Sequence, residues 1–118
     1  MAHDIATDET ANLIASNKVE GTAVYNRQGE RLGTITNFMV DKISGNVQYA
    51  VLSFGGFLGM GTDNYPLPWN MLTYDTSHGG YVIDLDKSLL ENAPRYSNEN
   101  EPTYDRDYGR SINDYYGV

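Results

Sequence analysis

The chain has 118 residues, 40% of them hydrophobic and 20% charged, with sixteen acidic side chains against eight basic ones for a net charge of −8. That length and balance fit one small globular domain rather than a disordered chain, and the excess negative charge argues against nucleic acid and anionic membrane surfaces as direct partners. With no cysteine, the chain can form no disulfide, thiolate nucleophile or cysteine-ligated metal site.

Residues 1–12 are polar and short of structure signals, and are expected to form a flexible N-terminal arm. Residues 1–16 carry acidic side chains and no long apolar run, so no signal peptide is expected. No stretch approaches the roughly 20 apolar residues that span a bilayer, so direct membrane insertion is not expected and a cytoplasmic location is.

From Glu20 onward short β-type runs alternate with glycine-marked turns. "GTAVYN" (21–26) and "RLGTITNFMVD" (31–41) flank "RQGE", a hairpin turn in which Gly29 is free to take positive φ. "DKISGN" (41–46) is a second turn, with Asp41 placed to accept from backbone amides and Gly45 suited to the left-handed position. "VQYAVLSF" (47–54), "NYPLPWNMLTYD" (64–75) and "GYVIDL" (80–85) complete the set, the last two separated by "TSHGG". The helix signal is confined to "DKSLLENA" (86–93), with Asp86 as N-cap and Pro94 as the stop. Short, closely spaced strands with one short helix predict an all-β core, a small barrel or strongly curved sheet.

The run 47–54 is apolar on both faces: Val47, Tyr49 and Val51 on one, Ala50, Leu52 and Phe54 on the other. A strand with a wetted outer face would alternate apolar and polar residues. Something should therefore cover the outside of the sheet there, either the chain's own terminal segments and short helix or a second subunit. From Arg95 the composition becomes tyrosine-rich and polar, with few aliphatic residues. It favours a solvated tail over an arm whose tyrosines pack, although tyrosine, with a broad apolar face and one polar tip, suits the second role.

"FGGFLGMG" (54–61) is the segment most suggestive of a site. Its glycine spacing fits neither G-x-x-x-x-G-K-[ST] nor G-x-G-x-x-G, and "YPLPW" behind it cannot open the helix both motifs require. "GFLG" matches the GXXG clamp of RNA-binding domains but lacks flanking helices and a cationic setting. The segment is instead a long strand connection whose Phe57, Leu58 and Met60 need apolar surroundings. They either fold back over a barrel end, the slightly favoured reading, or project and dock. Trp69, in "PLPW", is expected to plug a barrel end. His3 and His78 stand alone, "YDRDYG" (104–109) lacks the rest of a calcium loop, and no nucleophilic triad is suggested locally. No catalytic residue, metal site or cofactor is expected.

Taken together, "G-x-x-V-Y" from Gly21, "G-x-x-L-G" from Gly29 to Gly33, "D-K-x-S-G" from Asp41, "Y-A-V-L-S-F-G-G-F-L-G-M-G" from Tyr49 and "P-L-P-W" from Pro66 resemble the PRC-barrel domain, and small stand-alone bacterial members of it above all. The resemblance covers residues 13–93 and implies a six-stranded barrel, leaving 1–12 and 94–118 as polar arms. Related barrels form the cytoplasmic part of a photosynthetic reaction-centre subunit and half of a ribosome-maturation factor, where the shared theme is protein docking rather than a reaction. Neither the membrane helix of the first nor the RNA-facing domain of the second is expected from these residues. The resulting expectation is a non-enzymatic interaction or scaffolding module. It would dock a protein partner, or a second copy as a homodimer, through an apolar barrel surface and the glycine-rich loop. The expected contact residues are Phe57, Leu58, Met60, Tyr65 and Trp69. The alternative is a small-ligand carrier or sensor using the barrel mouth around Tyr65 and Trp69.

Overall fold

A computed structural model describes residues 13–57 and 60–118, with side chains described outside 55–62. The expected N-terminal arm and Leu58 lie outside the described residues. The strands are β1 (Ala23–Tyr25), β2 (Arg31–Val40), β3 (Val47–Phe57), β4 (Met60–Pro68), β5 (Leu72–Asp75) and β6 (Gly80–Ile83). They form one sheet in the order β4-β3-β2-β1-β6-β5, antiparallel throughout except for the parallel β1–β6 pair.

The connection between β4 and β5 explains why this sheet curls. These two strands are its opposite edges, yet only the 3₁₀ turn Trp69–Met71 joins them. Laid flat, six strands would put the edges about 24 Å apart, whereas so short a link spans at most about 14 Å. The sheet must bend into a half-barrel, although no ladder closes it between β4 and β5 among the described residues. The apolar run 64–75 is thus two strands and a corner rather than one strand. It breaks just after Pro68, where Pro66 and Pro68 have already removed two backbone donors.

The concave face holds the core. Val24, Ile35, Ala50, Leu52, Leu67 and Leu90 are fully excluded from solvent, and each aliphatic side chain so buried contributes about 1.5–3 kcal/mol. Both expected turns form. Asp41 Oδ1 accepts from the Ile43 and Ser44 amides at 2.9 Å each, and Gly45 sits at φ 80°. Around Gly29, at φ 84°, buried Asn26 accepts from the Gln28 and Glu30 amides and donates to the Glu30 carboxylate at 2.8 Å, so burying this amide leaves it satisfied.

Two expectations are corrected. The first is the single short helix: besides α2 (Lys87–Glu91) there are a one-turn helix, α1 (Ser16–Val19), and an eleven-residue helix, α3 (Arg106–Tyr116). Asp86 occupies the N-cap position of α2, but its side chain makes no capping bond. The second is the polar C-terminal tail. Residues 96–116 fold back on the barrel, because tyrosines supply the apolar area that aliphatic residues do not.

Candidate functional site

β2 stays beside β3 as far as the Thr34–Ser53 pair. Beyond it, Phe54–Asp63, Gly55–Thr62 and Phe57–Met60 pair only with one another. The glycine-rich segment is therefore not a long loose connection: its flanks are a two-stranded ribbon that runs past the body of the sheet. Such a ribbon is marginal in water without further packing. Its base is anchored by Phe54, 8% exposed and edge-on to Tyr65 at 5.3 Å, and by an Arg95 Nε–Asp63 Oδ2 contact of 3.3 Å. Phe57 and Met60 form its outermost described pair.

Tyr65 and Trp69 are placed differently. Tyr65 is 5% exposed in the core, where burial pushes its phenol above the ordinary range. Trp69 is half-buried at the corner between the sheet edges, with ring centroids 6.4 Å from Phe38 and 5.5 Å from Tyr81. Both rings pack on the concave side.

The convex face of β3 and β4 carries Tyr49, Val51 and Pro66, and residues 96–116 strap across it. The strap begins as a fragment of strand: the Asn64 amide donates to the Tyr96 carbonyl at 2.8 Å, and the Tyr96 amide to the Asn64 carbonyl at 3.0 Å. Tyr104 then packs between Tyr49, Tyr96 and Tyr108, with centroids 6.0, 6.2 and 5.1 Å away, and shares a 2.8 Å hydroxyl contact with Tyr96. On α3, Ile112 is fully buried, as are Val51 and Pro66. Burial holds the Tyr104 and Tyr116 phenols well above the ordinary range and pushes Tyr108 up to about 12. The hydroxyls of Tyr108 and Tyr116 are buried without a partner among the described residues. Of the two covers left open for the two-faced strand, the chain's own C-terminal segment is the one observed.

Among the described residues no group of His, Asp and Glu is placed to hold a metal, and no helix is long and apolar enough to cross a membrane. The nearest approach to a catalytic set is an exposed turn. There the Ser77 hydroxyl donates to Asp75 at 2.6 Å, and His78 Nδ1 lies 3.2 Å from the same carboxylate. The Ser77 hydroxyl and amide, with His78, hold the Asp75 carboxyl down to about 2. The Ser77 hydroxyl also lies 3.4 Å from His78 Nδ1, so the three side chains form one local network within the turn.

The PRC-barrel domain model matches residues 11–90. Among solved structures, a putative 16S ribosomal RNA processing protein, RimM, from Pseudomonas aeruginosa is similar at 18% identity and a TM-score of 0.45. That match covers 64% of this chain and 45% of the other, so the chain spans less than half the length of that protein. No curated protein matches the chain.

Proposed function

This chain belongs to the PRC-barrel domain family, and we propose that it is a non-enzymatic protein-docking module whose contact surface is the end of the β3–β4 ribbon, carried by Phe57 and Met60. The observation that supports this reading is the ladder itself. Among the described residues, past Ser53 the two strands pair only with each other, in a stretch rich in apolar residues. An apolar ribbon leaving the body of a small protein is the kind of surface that marks a contact. The convex face is already occupied by the strap, and Tyr65 is committed to the core, so neither competes for the role. The cysteine-free sequence accords with a cytoplasmic setting.

Site-specific photo-crosslinking tests the assignment. A benzophenone amino acid at Phe57 is expected to trap one reproducible protein. The same group at Ile43, an apolar side chain 98% exposed at the opposite end of β3, is expected to trap none. Equal trapping from both positions would contradict the assignment. Light scattering distinguishes a second copy of the chain from a different protein as the partner.

A further inference from the structure

The convex face also holds a cleft of about 370 Å³ between the sheet and the first residues of the strap. Its floor is Ser53 and Asn64, register partners on β3 and β4, with Thr36 and Asn37 beside them at a bulge in β2. Its far wall includes Asn98 and Glu101. The two sides are fastened together: Asn64, 9% exposed, donates through Nδ2 to Asn98 Oδ1 at 2.7 Å, and its backbone makes both bonds to Tyr96. The cleft is thus preformed rather than a gap between drifting segments.

The lining sets the chemistry of what would fit. Among the described residues it contains no Lys, Arg or His and has one carboxylate, on a chain whose net charge is −8, so phosphates and carboxylates meet repulsion with no described counter-charge. A cation would engage Glu101 but leave the amide and hydroxyl donors of Asn37, Asn98 and Ser53 without acceptors. A ligand dense in hydroxyl groups both donates and accepts, and so can meet the amides, the hydroxyls and the carboxylate together. The cleft volume lies at the lower end of small-molecule sites, about 300–1,000 Å³. We propose that this cleft binds a neutral, polyhydroxylated ligand, a mono- or disaccharide, held between the sheet and the strap. Because the ligand touches both sides, its binding strengthens the docked strap by linkage.

The test is a two-dimensional NMR titration of the ¹⁵N-labelled full chain. The probes are glucose, galactose, mannose, N-acetylglucosamine, maltose, glucose 6-phosphate and arginine, each added separately. At least one neutral sugar is expected to shift the side-chain amide signals of Asn37, Asn64 and Asn98 saturably. Glucose 6-phosphate and arginine are expected to leave those signals in place. Asn37→Ala removes an exposed side chain and is expected to weaken the sugar about tenfold with an unchanged melting temperature; Ser53→Ala supplies a second, independent variant. Absence of a saturable shift from every neutral sugar would overturn the proposal. So would a response to arginine or glucose 6-phosphate as strong as that to the best sugar, or wild-type affinity in both variants.

Discussion

Gly33 shows how tightly one position can be specified. A methyl group there would stand 2.1 Å from the Ser53 carbonyl oxygen and 3.1 Å from Leu52 Cδ1, and a backbone atom cannot step aside. Gly33→Ala is therefore expected to lower stability by about 2–3 kcal/mol, read as a lower urea midpoint with an unchanged slope. Asp75 gives a test in acid. Its carboxyl is held to about 2 by Ser77 and His78, below the ordinary value of 3.8. The stability linked to it is present above pH 3.8 and lost as pH falls through about 2. Carboxyl NMR should place the Asp75 midpoint near 2, moving up toward the ordinary range in Ser77→Ala. Turn chemistry of this kind was legible in sequence, since Asp41, Gly29 and Gly45 act through their own neighbours. The crowding at Gly33 was not, because Ser53 is brought to it only by the ladder.

The element that composition misjudged is α3. Its ends were in fact written locally. Asp105 accepts from the Tyr108 amide at 2.9 Å as the N-cap, and Gly117, at φ 74°, closes the C-terminus. What obscured it was a glycine in the middle and a buried side made largely of tyrosine. Gly109 is explained by close approach, since a Cβ there would meet the Tyr49 hydroxyl at 2.9 Å. Ile112 is the aliphatic exception, fully buried, and Ile112→Ala is expected to destabilise by about 2–5 kcal/mol. The loss should appear first as faster amide exchange across 106–116, before the core strands lose protection. The tyrosines add an alkaline test. The folded-state values of Tyr104, Tyr108 and Tyr116 are raised, so the stability they contribute is intact below pH 10 and falls as pH climbs toward about 12, the value for Tyr108. Tyrosinate absorbance should rise in two stages, with exchange across α3 accelerating in the second.

Over the whole molecule, the strand content and the curl were visible in the short, closely spaced β-type runs, and the need for a cover in the missing alternation of 47–54. Which cover, and where the proposed docking surface lies, depended on register. Nothing local in "FGGFLGMG" says that β2 stops pairing at Ser53, yet that is what leaves Phe54–Asp63 onward as a ribbon. Likewise Tyr65 and Trp69 look like a barrel mouth in sequence, but Tyr65 belongs to the core and Trp69 packs on it at the corner where the sheet edges approach. Under the proposed docking reading, binding through the ribbon's end and the stability of the core are separable by experiment. The deciding measurement is affinity capture from native lysate with the wild-type chain and the Phe57→Ser/Met60→Ser double variant, each with its melting curve. The expected result is a reproducible partner lost in the variant while the melting temperature stays within about 2 °C of wild type. Retention of the same partner by the variant, no partner for the wild type, or a large fall in melting temperature would contradict a docking ribbon.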